Sequence, residues 1–109
     1  MATTNQVLPN SRVKRGNVQG MDSIAITGPF DFCDASVIGI ADQIISEGKT
    51  VFAFDISKVT YITSPGISCI VKLVKKLQTL NGQIIIYGAT HDMAEFLRLA
   101  KVDKFIQIM

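Results

Sequence analysis

Polar and apolar positions change their period along this chain, and each change marks an element. Residues 11–18 predict an edge strand with Arg12, Lys14 and Asn17 toward water, and Gln19-Gly20-Met21-Asp22 reads as a turn. Residues 23–27 alternate in part, through Ile24 and Ile26, and predict a second strand that Gly28-Pro29 ends. A helical period follows. Val37, Ile40, Ala41, Ile44 and Ile45 fall on one stripe, opened by Cys33 or Asp34 and closed by Gly48. Residues 51–56 carry few polar side chains, as in a central strand covered on both faces, and 59–62 form a separate short extended piece.

The second helix has the stronger start signal. Ser64 is the expected N-cap, with Pro65 in the first turn, so Ser64→Ala should cost about 1 kcal/mol. Ile67, Ile70, Val71, Val74 and Leu77 make its inner stripe. Ser68, Lys72, Lys75, Lys76 and Thr79 share the other side, and Asn81-Gly82 stops it. Residues 83–87 read as a buried strand. Thr90 caps a third helix with Phe96, Leu97 and Ala100 inward, and 104–108 make a last strand. The order β-β-α-β-α-β-α-β predicts an α/β fold. It is a mixed, mostly parallel sheet with helices packed against it, right-handed crossovers and an antiparallel first pair.

Composition sharpens this picture. Fifteen isoleucines and nine valines favour strands. The 109 residues, 48% hydrophobic and 18% charged, suit one folded domain and not a disordered chain. The basic excess is confined to Arg12, Lys14 and Arg15 against Asp22, and the rest of the chain balances, so a nucleic-acid stripe is not expected. No apolar run reaches the ~20 residues of a membrane span, and no secretory leader opens the chain, so a cytoplasmic location without membrane insertion is the expectation.

Candidate chemistry is sparse. His91 is the lone histidine, and Cys33 and Cys69 have no ligand-like spacing, so neither a metal site nor a cofactor is expected. Without a nucleophile–base pair the chain reads as no enzyme. Asp55 is expected to bond nearby amides as a turn residue. Thr63-Ser64-Pro65-Gly66 is the best candidate site. It lies beyond the carboxyl end of parallel strands, at a helix start whose free amides tolerate an anion. Asp31 follows a strand end and is expected at the same edge of the sheet.

Five segments, in order, carry a family likeness. They are Gly28-Pro29-Phe30-Asp31, Asp55-Ile56-Ser57-Lys58-Val59-Thr60-Tyr61-Ile62, Thr63-Ser64-Pro65-Gly66, Asn81-Gly82-Gln83-Ile84-Ile85-Ile86-Tyr87-Gly88 and Leu99-Ala100-Lys101-Val102-Asp103-Lys104-Phe105. Together they resemble the STAS domain of the anti-sigma factor antagonist family. The polar stretch 1–10 is expected to be flexible, and the resemblance implies a single STAS-like domain over 11–109. It also implies a non-enzymatic, partner-switching regulator of transcription. Such a protein binds an anti-sigma factor, often a serine kinase with a histidine-kinase-like ATP fold, and a PP2C-type phosphatase reverses its phosphorylation.

At the decisive loop the sequence departs from that family. The second serine, the usual phospho-acceptor, is replaced by Pro65, and the loop aspartate by Thr63. Three readings stay open. Ser64 or Thr63 is a shifted acceptor; or the protein is never modified; or it is a STAS subunit or scaffold of a larger assembly, such as a lipid-transport or sensory complex. The partner surface implied comprises Asp31, Thr63, Ser64, Pro65, Gly66, Ser68 and Lys72.

Overall fold

The chain starts its described course with two strands joined by the tightest of turns. The computed structural model describes residues 12–33, 35–104 and 106–108. The expected fraying of 1–10 and the capping by Asp34 lie outside them. Strand β1 (Val13–Val18) pairs antiparallel with β2 (Met21–Phe30), and Val18 faces Met21 across Gln19-Gly20. Both turn residues have positive φ, 52° and 85°, which matches the right-handed twist of the flanking strands. The turn is therefore two residues long, and Met21 and Asp22 belong to β2.

Gly28-Pro29 does not end β2. Pairing to β3 (Val51–Ile62) shifts between Ala25 and Thr27 and again between Gly28 and Pro29. At φ +83° Gly28 adopts backbone that other residues avoid, and a bulge absorbs the missing amide of Pro29. The two extended pieces expected at 51–56 and 59–62 are likewise one twelve-residue strand. The polar pair Ser57-Lys58 marks its bulge, where Asp55 and Lys58 face Ala25 and Thr27. As expected of Asp55, its Oδ1 accepts from the Ser57 amide at 3.1 Å and the Ser57 hydroxyl at 2.6 Å.

Helix α1 (Ala35–Ser46) ends where Gly48 donates to Ile45 and Lys49 to Ile44. Helix α2 (Ser64–Gln78), strand β4 (Gln83–Tyr87), helix α3 (His91–Leu99), a 3-10 turn (Val102–Lys104) and strand β5 (Ile106–Ile108) follow. The sheet order is β1-β2-β3-β4-β5, parallel after the first pair. Parallel strands in sequential order, with right-handed crossovers, place the crossover helices on one face.

That face carries the core. Ile24, Ile26, Phe52, Phe54, Ile56, Ile84 and Ile86 pack with Val37, Ala41, Ile44, Ile70, Leu73 and Leu77. Ser23, Ala53 and Ile85 point the other way and lie outside this cluster. As expected, the first half of β3 is buried on both faces: Phe52, Phe54 and Ile56 meet the helical layer, and Ala53 is buried on the other side. Helix faces differ from expectation. In α2, Cys69 and Leu73 are fully buried while Ile67 and Val71 are only half-buried. In α3, Met93 and Leu97 point inward while Phe96 and Ala100 are exposed. Positions four apart lie on one face, so Met93 at the first turn selects Leu97.

Candidate functional site

The carboxyl end of β3 delivers the chain directly into α2. The amide of Thr63 donates to the Phe30 carbonyl at 3.1 Å, which ties the end of β2 to the loop. Gly66 then passes so close that a Cβ there would stand 2.2 Å from the same oxygen. Only glycine permits this approach. Asp31, next after Phe30, is exposed beside this junction, as the sequence led us to expect.

Thr63, not Ser64, is the N-cap residue of α2, with extended φ −115° and ψ 178°. Its hydroxyl makes no capping bond and is buried without a partner among the described residues. Ser64 is the first helical residue and is exposed, as is Pro65. Ser64, Ser68 and Lys72 follow at four-residue intervals and are all exposed, so they form one row down the solvent side of α2. Six of the seven residues singled out, from Thr63 to Lys72 and Asp31, thereby gather around one end of α2; Lys72 lies two turns along it.

Sequence patterning missed the neighbours that shape this end. Arg12, read as a solvated strand residue, donates to the Pro29 carbonyl at 3.2 Å and lies 4.6 Å over the Phe32 ring. It also stands 3.9 Å from Asp31. Phe32 in turn meets Phe30 edge-on at 5.8 Å. On the other flank Tyr61 and Phe96 are exposed and border a shallow depression with Thr90 and Asp92. Alternation could not find Tyr61, because the bulges in β3 bury Val59 and Ile62 and leave both Thr60 and Tyr61 exposed between them. His91 is exposed in the first turn of α3, where Thr90 Oγ1 accepts from the Met93 amide at 3.2 Å. Cys69 is buried and Cys33 half-buried against the core. Among the described residues no three His, Cys, Asp or Glu side chains gather, and no helix is long and apolar enough to cross a membrane.

The STAS domain family model matches residues 17–109, from within β1 through β5. This chain belongs to the STAS domain family. No curated protein matches it. Among solved structures, SpoIIAA, a Bacillus cell-fate determinant and anti-sigma factor antagonist, is similar in its unphosphorylated form. It has a TM-score of 0.64 at 15% identity, over 89% of this chain and 86% of that one. A putative anti-sigma factor antagonist from Thermotoga maritima gives 0.69 at 14% identity, over 88% and 84%. An anti-sigma factor antagonist from Mycobacterium paratuberculosis gives 0.69 at 15% identity, over 88% and 82%. At such identities the likeness is one of fold.

Proposed function

We propose that this STAS domain is a non-enzymatic regulator of the antagonist type, working as one unit over 11–109. It docks an anti-sigma factor of the serine-kinase class with a histidine-kinase-like ATP fold. The docking surface is Asp31, the 63–66 loop, Ser68 and Lys72. The observation that carries the reading is the exposed row Ser64–Ser68–Lys72 at a helix start beyond the carboxyl ends of parallel strands. Function in open α/β folds is usually sited there. SpoIIAA, similar in fold, exists in a phosphorylated form.

Where the partner modifies the protein, Ser64 is the acceptor. Pro65 has no hydroxyl, and the Thr63 hydroxyl is buried. A phosphate on Ser64 would sit at the amino end of α2, whose dipole favours it. It would bring about two negative charges to the docking surface. A PP2C-type phosphatase would restore the neutral form, and the whole exchange belongs in the cytoplasm.

The test compares Ser64→Ala with Ser64→Asp in binding to kinases encoded beside the gene, with intact mass read after incubation with ATP. A gain of one phosphate lost in Ser64→Ala, and weakened binding by Ser64→Asp alone, is the expected result. Equal binding by both variants and an unchanged mass with every such kinase would exclude the switch. A second reading, an unmodified STAS subunit of a lipid-transport or sensory assembly, is favoured by Pro65. That residue offers no hydroxyl to accept a phosphate. Retained binding to a transporter component by all Ser64 variants would support that reading.

A further inference from the structure

A second feature lies further along α2, away from the loop. Between its carboxyl half and the end of α3 runs a cleft of about 270 Å³, walled by Val71, Val74, Ala100 and Val102 and bordered by Lys75 and Lys101. A shallower depression continues it toward the loop, adding Ile67 and Lys72 and sharing Val71 and Lys75. Leu99, the most exposed large apolar side chain at 77%, directly precedes the cleft wall at Ala100.

Charge is the decisive property here. Among the described residues no carboxylate lines either depression. Lys72, Lys75 and Lys101 form no ion pair among the described residues, whereas Arg15, Lys49, Lys76 and Arg98 each hold a carboxylate. An apolar floor with three free ammonium groups complements a ligand that is apolar along one side and acidic along its margins. One wall is helix α2 and the other, residues 100–102, is the turn after α3, where the Ala100 and Lys101 amides already bond to Phe96 and Arg98, so an extended peptide would find no strand edge to join. A helix satisfies its own amides and carbonyls and needs only side-chain contacts. From Ile67 to Gln78 the groove runs eleven residue rises, about 16 Å, the length of about three helical turns.

We propose that this lysine-bordered groove between α2 and α3 seats a short acidic amphipathic helix of a partner protein. The proposal rests on the reading of the chain as a partner-docking domain, but not on Ser64. It gives that domain a second contact, specific for an acidic helix, on the face beside the loop.

The test uses the full chain, isotope-labelled for amide NMR. The probe is a stapled three-turn peptide with Leu at i, i+4 and i+7 and Glu on both flanks. A twin with Lys in place of Glu is the control. Saturable shifts confined to 67–78 and 99–102 are expected with the Glu peptide and not with its twin. Lys72→Glu with Lys75→Glu should weaken binding about tenfold, since two attractive exposed charge contacts become repulsive. Ala100→Phe fills the cleft at unchanged charge and should abolish binding, with far-UV circular dichroism confirming that each variant is folded. Ser64→Asp should bind the peptide as the parent does, which separates failure of the loop switch from failure of the groove. The proposal is overturned by the absence of saturable shifts, by shifts elsewhere, or by equal binding of the twin. Sedimentation with phosphatidylglycerol vesicles while the peptide leaves the spectrum unchanged would also overturn it, and would assign the lysines to a membrane surface.

Discussion

Thr63 and Ser64 exchange the roles that their sequence suggests. A serine before Pro-Gly reads as a helix cap, yet the helix begins one residue earlier and Thr63 occupies the cap without using its hydroxyl. Ser64→Ala should therefore change stability by less than ~0.5 kcal/mol in urea unfolding, as for an ordinary exposed site. A buried hydroxyl without a partner costs about 1–3 kcal/mol, so Thr63→Val, similar in shape, should be neutral or stabilising. A loss above ~1 kcal/mol in Thr63→Val would mean that the hydroxyl is bonded in solution. Gly66 makes the opposite case. A methyl group 2.2 Å from the Phe30 carbonyl must push backbone aside. Gly66→Ala should cost about 1–3 kcal/mol, the range for overpacking. It should also shift the Thr63 amide resonance, because the Thr63–Phe30 bond is strained first. Serine, proline and glycine were legible as a helix start from spacing alone. Which hydroxyl faces water depended on a one-residue offset that a neighbouring strand imposes.

Among elements, the β1–β2 hairpin is held to the end of α1 by charge. Arg15 reaches Asp22 at 2.9 Å and Glu47 at 2.7 Å, and Lys49 reaches Asp22 at 2.8 Å. Lys49 and then Arg15 hold the Asp22 carboxyl below the usual carboxylate range, and Arg15 does the same for Glu47. The stabilisation is complete above the unfolded carboxylate values near pH 4 and is lost as pH falls through the lower folded values. Lys49, raised by Asp22, loses its share only as pH climbs past the ordinary lysine range. Urea midpoints should therefore drop between about pH 5 and about pH 2, and the drop should shrink in Arg15→Ala. High salt should reduce the whole effect, since these groups are partly solvated. An equal drop in Arg15→Ala would assign acid sensitivity elsewhere. The sequence showed Arg15 and Asp22 only as part of a charge balance, with no sign of Glu47 and Lys49 as their partners. These partners lie up to 32 positions apart; hairpin pairing brings Arg15 to Asp22, and packing of the end of α1 against the hairpin brings Glu47 and Lys49 to them.

For the molecule as a whole, the core is built from alternate strand positions facing one helical layer. Phe54 is fully buried, beside Phe30 at 5.9 Å, so Phe54→Ala should cost about 3–5 kcal/mol. That is a large share of the ~5–15 kcal/mol typical of a domain. Leu99→Ala should change the unfolding midpoint little, and a large loss there would mean that Leu99 is covered in solution. The order of elements, the parallel sheet, the helix stops at Gly48 and Gly82 and the Thr90 cap could all be read from local pattern. Each depends on backbone preferences of neighbouring residues and on burial with a fixed period. The continuity of β2 through Gly28-Pro29 and of β3 through Ser57-Lys58 could not, because a bulge breaks the period while pairing with the adjacent strand persists. The same holds for the lysine-bordered groove. The sequence alone determined which segments become strands and helices and where the loop of interest falls, since those follow from short-range periodicity. Only the tertiary structure decided which side chains meet across elements and which hydroxyl of that loop is open to a partner, since both depend on register between residues distant along the chain.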